Sequence, residues 1–358
     1  MTALTSAASP DDARKPRVAG LAWNAWRQHR LAITGLLAVF ACYAAWLLRT
    51  GIPVHAAYVQ YLLRGCPRGP GCGRLSLADG YYEVVTGPLT VLPALIGVFV
   101  GAPLIDRDLE AGPHRFAMTQ GVRMHRQVAV RLLVVGGIAV VGCVLVGLLA
   151  MWCAQPSFAT DPLDTSRWDP FFFNRTAVML PAWALLEFCL GALAGAVIRR
   201  TVPAMAVTAA CAVVIAVAGT GMNLSFPFSS PLPALTGRLL SIAPISAPVS
   251  RPLPFVEVGG SATNWAGPGG TWVLTTWYTG PDGRRLSDGA AWTLVNRIGG
   301  NAPAAVIWRR LAARHVAYWL SYQPASRYWL FQAAQAAILA ALAAAAGLGA
   351  VRLAGRRT

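Results

Sequence analysis

The sequence is poor in lysine and in acidic residues. Lys15 is the only lysine among 358 residues, and 14 acidic residues stand against 30 basic ones, which gives a formal net charge of +16. A Walker-type phosphate loop needs Gly-Lys-Ser or Gly-Lys-Thr, so the chain cannot hydrolyse ATP by that route. Charged residues make up only 12% of the chain and hydrophobic residues 56%, which excludes a soluble enzyme or a nucleic-acid-binding protein.

Patterns typical of catalysis and of metal binding are also absent from the sequence. No Gly-x-Ser-x-Gly elbow occurs, and the loops hold no convergent acid, base or metal cluster. We therefore expect no metal, no other cofactor and no enzymatic activity, so an integral membrane transferase is the least favoured class. The histidines lack the H-x-x-x-H spacing of a helical metal site and are scattered over different segments: His29, His55, His114, His125 and His315.

The chain does contain long, uncharged apolar runs. A bilayer core about 30 Å thick needs about 20 apolar residues in a helix. Six runs have about this length: 31–48, 84–105, 132–154, 176–198, 201–223 and 328–351. They predict an all-α membrane protein with six transmembrane helices and a small mixed extracytoplasmic subdomain between the last two. Only Arg199 and Arg200 separate the fourth run from the fifth, which predicts a tight helical hairpin.

The distribution of basic residues predicts the orientation. If the N-terminus is cytoplasmic, the inner segments hold fifteen Arg and Lys residues and the short outer loops hold six. The remaining nine lie in the long segment 224–327, whose length makes it uninformative for orientation. We therefore expect a multi-pass protein of the cell membrane with both termini in the cytoplasm.

The spans divide the chain into four parts. Residues 1–30 form a cytoplasmic tail and an amphipathic interface helix, and 31–223 hold five spans with a cytoplasmic coupling loop at 106–131. Residues 224–327 form the extracytoplasmic subdomain, and 328–358 hold the last span and a basic tail.

Two inner segments are candidates for functional contacts. Residues 18–30 carry apolar side chains near one helical face and can lie along the inner membrane surface, although a plain basic flank is the alternative. In the loop 106–131, Gly112-Pro113 and Gly121 bracket a short helix lying across two membrane-rooted helices. Such a helix suits the transfer of force from a cytoplasmic partner, and the alternative is a solvated connecting loop.

The segment 224–327 differs from the spans because it is rich in Pro and Gly. A strand is predicted at 271–279, with Val273, Thr275 and Trp277 on one face, and a helix is predicted at 302–322. A small core resting on the membrane interface is favoured over an aromatic ligand site by the tryptophans, which are Trp265, Trp272, Trp277, Trp292, Trp308 and Trp319.

A few polar residues stand inside or beside the spans. Glu187 lies deep in the fourth run, where a protonated carboxyl bonded to a neighbouring span is favoured over a proton or substrate role. Gln332 and Gln335 are candidates for interhelical hydrogen bonds. Cys66 and Cys72 share one outer loop, where either a local disulfide or two free thiols is open.

Three sequence blocks beside the spans stand out as motifs. The first is Ala25-Trp26-Arg27-Gln28-His29-Arg30, directly before the first span. The second begins Glu110-Ala-Gly-Pro-His114-Arg115 and ends Thr119-Gln120-Gly-Val. The third is Tyr322-Gln323-Pro324-Ala-Ser326-Arg327-Tyr-Trp329, continuing to Phe331-Gln332.

Together these three blocks resemble bacterial ABC transporter permeases of the exporter type. The resemblance implies a permease subunit paired with a separate ABC ATPase and moving its substrate by alternating access. Two permease copies, or this chain and a paralogue, would form the pathway within membrane lipid, with no nucleic acid involved. The residues docking on the ATPase would be Glu110, His114, Arg115, Thr119 and Gln120. The interface helix packed beside them would use Trp26, Arg27, His29 and Arg30. The alternative is a membrane scaffold or sensor that does not transport and whose Trp-rich outer segment acts as a receptor.

Overall fold

The computed structural model describes residues 18–66, 87–105, 124–160, 167–168, 170–220, 244–248, 271–299, 302 and 304–356. The protein is mostly helical. Four helices within this part of the chain are long and apolar enough to cross a membrane: Trp26–Leu63, His125–Phe158, Met179–Ile198 and Ala325–Gly355. Two shorter apolar helices, Leu92–Ile105 and Thr201–Ile215, lie within the remaining two predicted runs.

The first helix, α1 (Val18–Leu63), consists of two helical segments. His29 interrupts it with non-helical dihedrals, φ −106° and ψ 15°. The interruption falls where the predicted interface segment meets the first apolar run. After the kink the helix continues through Arg49 and Pro53 to Leu63, well beyond the predicted end at residue 48.

The extension of α1 rests on its packing against the next long helix, α3 (Met124–Thr160). The His55 ring stacks on the Trp152 ring with centroids 4.0 Å apart, and His55 Nε2 lies 2.8 Å from the Trp152 carbonyl oxygen. About two turns earlier on α1, the Leu47 carbonyl oxygen accepts from Cys153 Sγ. The charged residue Arg49 thus ends the apolar run without ending the helix, because contacts with α3 continue beyond it at His55.

Along the chain, the irregular segment Leu92–Ile105 lies between α1 and α3. It begins with α2 (Leu92–Ile96) and continues through a π-helical turn, Gly97–Gly101, in which the Ala102 amide donates to the Gly97 carbonyl oxygen at 2.9 Å. This wider turn packs against α5 (Met179–Ile198).

The helices α5 and α6 (Thr201–Thr220) form the predicted hairpin. Arg199 takes a left-handed conformation with φ 59°, and its amide caps α5 by donating to the Gly195 carbonyl oxygen. The last helix, α9 (Tyr328–Arg356), packs mainly on α5, and a short helix, α4 (Pro170–Phe173), precedes α5.

A small mixed unit stands between α6 and α9. Its sheet has the antiparallel order β1-β3-β2, formed by β1 (Ile245–Pro248), β2 (Trp272–Thr279) and β3 (Ala317–Gln323). The helices α7 (Asp288–Arg297) and α8 (Ala304–Ala312) connect β2 to β3 and cover a separate core. We call this unit the β-subdomain.

The helix predicted at 302–322 is wrong in its second half. The helix ends at Ala312, His315 adopts a positive φ of 55°, and Ala317–Gln323 is the central strand of the sheet. The reason is long-range: both edges of β3 are occupied, because Ala317–Gln323 pairs with β1 on one side and with β2 on the other. Local periodicity does not contain that information.

The face predicted for β2 is also wrong. A bulge between Val273 and Thr275 shifts the register, so Val273 and Tyr278 point into the same core although five positions separate them. Thr275 is exposed. An inserted residue reverses the alternation of a strand, and simple period-2 counting does not detect it.

Candidate functional site

The residues expected to dock on an ATPase are Glu110, His114, Arg115, Thr119 and Gln120, and they lie outside the described residues. The described chain stops at Ile105 on one side of this loop and resumes at Met124 on the other. Their role therefore remains a prediction from the sequence.

The interface residues Trp26, Arg27, His29 and Arg30 lie at the kink of α1. Trp26, Arg27 and Arg30 are exposed, and His29 is half-buried. One residue of this segment is tied to the next long helix, since Arg131 Nη2 donates to Gln28 Oε1 at 2.7 Å. This hydrogen bond joins the start of α1 to the start of α3, which directly follows the coupling loop.

Two pairs of glycines bring the π-helical turn of Gly97–Gly101 into backbone contact with α5. A Cβ atom added to Gly97 would stand 2.6 Å from the Glu187 carbonyl oxygen, and one on Gly101 would collide with the Phe188 carbonyl oxygen. The same holds for the glycines of α5: Cβ atoms on Gly191 and Gly195 would collide with the carbonyl oxygens of Gly97 and Ala102, respectively. We call these four glycines the glycine crossing.

The glycine crossing has a sequence signal that hydropathy alone does not use. Both segments contain Gly-x-x-x-Gly, as Gly97-Val-Phe-Val-Gly101 and as Gly191-Ala-Leu-Ala-Gly195. This spacing places small residues on one helical face and lets two helices approach closely in lipid. The two motifs thus indicate which helix surfaces face each other. The sequence analysis above, based on charges and apolar runs, did not identify them.

Glu187 lies at this crossing. Its side chain is buried, with 4% of the residue exposed, and the carboxyl oxygen Oε2 has no hydrogen-bond partner within the described residues. Burial of an unpaired carboxylate in a membrane is costly, so the geometry favours a neutral, protonated group. Whether Glu187 has a role beyond packing stays a prediction.

A polar network occupies the end of the bundle that is nearest the β-subdomain. Gln332 on α9 is fully buried and donates through Nε2 to the Phe173 carbonyl oxygen at 2.9 Å and to the Tyr328 hydroxyl at 3.1 Å. Its Oε1 accepts from Thr176 Oγ1 at 2.8 Å. Gln335, one turn further along α9, is buried without a partner for Oε1 or Nε2 among the described residues. Only the first of the two predicted glutamines thus links segments here.

An aromatic cluster surrounds this network. The Trp168 ring lies 5.3 Å from the Trp272 ring, centroid to centroid, in a stacked arrangement, and it meets Tyr328 and Phe331 edge-on. Trp272 is the first residue of β2 but belongs to the core of the helical bundle, with only 4% of it exposed. Trp272 therefore anchors the β-subdomain to the ends of the helices.

The remaining predicted site is the cysteine pair. Cys66, just after α1, is disulfide-bonded, whereas Cys72 lies outside the described residues. Pairing of these two residues therefore stays a prediction. Five further cysteines are free thiols: Cys42, Cys143, Cys153, Cys189 and Cys211.

The described part of the chain contains no group of three or more His, Cys, Asp or Glu residues arranged to hold a metal ion. The helices form an apolar bundle with the glycine crossing, a kinked first helix and a polar network at one end. Four of the described helices are long and apolar enough to cross a membrane.

Comparison with known proteins gives the family. A family model described as ABC-2 membrane transporter related matches residues 37–222, more than half of the chain. The chain belongs to this family of ABC transporter permeases, the membrane components of transport systems. The match begins after the kink of α1 and ends just after α6, so it includes the glycine crossing but neither the β-subdomain nor α9. No curated protein and no solved structure matches the chain significantly.

Proposed function

We propose that the chain is the transmembrane permease subunit of an ATP-driven exporter, coupled to a separate ATPase subunit. The observation that carries this proposal is the family match over residues 37–222. The sequence supports it, since the only lysine is Lys15 and no Walker-type loop can be present, so the energy must come from another subunit.

In this proposal all six apolar runs cross the membrane. Four correspond to long helices, and the two shorter helices, Leu92–Ile105 and Thr201–Ile215, would span together with their neighbours. An even number of spans places both termini on one side, and the arginine distribution favours the cytoplasm. The β-subdomain is then extracytoplasmic. A second copy or a paralogue would complete the pathway.

Force would enter through the coupling loop and the start of α1. Gln28 and Arg131 join these two regions, because the 2.7 Å hydrogen bond connects the interface segment to the helix that leaves the loop. A displacement of the loop would thus move both α1 and α3. The glycine crossing would keep the π-helical turn and α5 together as one body during that motion, since backbones in contact have no room to slide past each other.

The test is ATPase stimulation in proteoliposomes that contain the chain and the ATPase with which it co-purifies. We expect His114→Ala/Arg115→Ala to lower the stimulated ATPase rate about tenfold or more and to weaken co-purification, because charge-assisted contacts at the docking surface are lost. Arg200→Ala is the control, since Arg200 is exposed and lies in the predicted inner turn between α5 and α6, outside the coupling loop. Unchanged stimulation and intact co-purification in the double variant would contradict the proposal. Stoichiometric recovery of a kinase would instead favour a scaffold or sensor.

A further inference from the structure

The β-subdomain contains a concavity that the transport mechanism does not use. Its volume is about 570 Å³, within the range of small-molecule sites. One wall is a face of α7 that includes Ala290, Leu294 and Arg297. The opposite wall is formed by the turn at Gly280-Pro281 and by the residues Arg314 and Val316, just before β3.

Two arginines, Arg297 and Arg314, line this concavity. Arg297 comes from the last turn of α7, and Arg314 follows α8, so the two reach it from different elements. Each helix end can favour a nearby cation through its dipole, which explains one arginine at each position but not why both line one cavity. Neither has an ion-pair partner among the residues that the structure describes, and the described lining includes no acidic residue.

The surroundings reinforce the positive charge. Between residues 271 and 327 the sequence has seven arginines and two acidic residues, Asp282 and Asp288. Asp282 lies 3.9 Å from Arg284, so this acid faces another arginine. Asp288 precedes the lining residue Gly289 but does not itself line the cavity, so the lining carries two positive charges and no negative one, which favours an anion.

Other residues of the cavity lining are apolar. Leu286, Leu294 and Val316 are partly buried and pack against the β-subdomain core, with part of each side chain left open. Partly open leucine and valine side chains in a cavity favour a ligand with an apolar portion, because its binding removes that surface from water. The lining thus combines two cationic side chains with apolar ones.

We propose that this concavity binds a small amphiphile that carries one anionic group, the anion held by Arg297 and Arg314 and the apolar part resting on Leu286, Leu294 and Val316. The inference rests on the proposed function only for the extracytoplasmic position of the β-subdomain. On that side of the membrane it would meet amphiphiles that leave the bilayer or the transport pathway.

The experiment uses the full chain in phosphatidylcholine nanodiscs, with octyl phosphate as the probe below its micellar concentration. Affinity is measured by thermophoresis, and hydrogen exchange of the peptides covering α7 reports the location. We expect saturable binding with slower exchange in α7. Arg297→Gln/Arg314→Gln should weaken the affinity about tenfold, since two charge-assisted contacts are lost at a partly exposed site.

The matched control is Arg284→Gln/Arg309→Gln, which removes the same charge from exposed positions outside the cavity. It should leave the affinity within about twofold of wild type if the two lining arginines hold the anion. Arg297→Lys/Arg314→Lys keeps the charge and should retain part of the binding.

Equal weakening in the control and in the Gln variant would overturn the proposal, because binding would then follow net charge alone. If inorganic phosphate binds as tightly as octyl phosphate, the proposed contact with the apolar side chains is overturned. If octanol binds as tightly as octyl phosphate, the proposed binding of the anion by the two arginines is overturned. Since the measurement needs no ATPase, failure of the coupling test leaves this result unaffected, and absence of octyl phosphate binding leaves the permease proposal standing.

Discussion

Gly191 and Gly97 touch through their backbones. A Cβ atom on Gly191 would collide with the Gly97 carbonyl oxygen and stand 2.9 Å from the Ala102 amide nitrogen. Apolar side chains gain nothing by leaving lipid for one another, so helix association in a membrane depends on close packing and weak Cα–H···O contacts. Glycine on both sides is what permits that packing here.

The first prediction concerns this contact. Gly101→Ala should destabilise the protein by about 1–3 kcal/mol, because the added methyl group collides with the Phe188 backbone, which cannot rotate away. Unfolding in a mixed-micelle titration measures the effect. Gly137→Ala on α3 is the control, since a Cβ atom there has no other atom within 4 Å, and it should be neutral or slightly stabilising. Equal losses in the two variants would refute a specific role for the crossing.

A second prediction follows from the hydrogen bond between Thr176 and Gln332. A double-mutant cycle with Thr176→Val and Gln332→Leu should give a coupling free energy of about 0.6 kcal/mol, the average for interhelical hydrogen bonds in membranes, and no more than about 1.7 kcal/mol. Gln335→Leu provides the comparison, because this buried glutamine has no partner among the described residues. Its replacement should be neutral or stabilising. A coupling energy of zero would mean that the 2.8 Å hydrogen bond contributes no net stability.

The third prediction tests the anchor of the β-subdomain. Trp272→Ala should cost about 3–5 kcal/mol, since it removes a buried aromatic ring from the stack with Trp168. We expect faster proteolysis within the β-subdomain, while the helices stay resistant. Trp292→Ala is the control, because Trp292 is 58% exposed and should tolerate truncation. Similar proteolysis of the two variants would argue against an anchoring role.

The fourth prediction separates two roles for Glu187. A protonated glutamic acid at the crossing resembles glutamine in shape and polarity, so Glu187→Gln should change the free energy of unfolding by no more than about 0.5 kcal/mol. It should also leave the ATPase stimulation in proteoliposomes unchanged. Normal stability combined with lost stimulation would instead indicate a role in proton or substrate movement.

The helices were predictable because a chain inside lipid can satisfy its backbone hydrogen bonds in only a few ways. Backbone groups in the membrane must bond internally, so each apolar run of about 20 residues has to become a helix. Over their described residues, four of the six predicted runs correspond to helices long and apolar enough to span a membrane, and the other two contain shorter apolar helices. The turn at Arg199 and Arg200 lies where the two charges require it. The ends were less predictable, as α1 shows, because packing against Trp152 extends the helix after the apolar run has stopped.

The β-subdomain shows the opposite case. Residues 317–323 contain Tyr318, Trp319 and Leu320, a run that satisfies both a helical and an extended pattern locally. Pairing with β1 and β2, from positions about 40 to 75 residues earlier, decides for the strand. The same limit applies to the candidate site, where Gln332 stood out as a polar residue in a span but its partner Thr176 could not be identified from the sequence.

The last prediction concerns the cysteines of the loop after α1. If the loop lies outside the cytoplasm, an oxidising environment favours a disulfide between Cys66 and Cys72. A membrane-impermeant maleimide added to intact cells should then label neither residue until a reductant is added, whereas Cys72→Ser should expose Cys66 to labelling without reduction. The two mass tags would be located by peptide mapping. Since labelling from outside also requires the loop to face outside, the experiment tests the orientation and the bond together. Labelling of wild type without reductant would contradict the bond, and a Cys72→Ser variant that reacts only after the membrane is permeabilised would contradict the orientation.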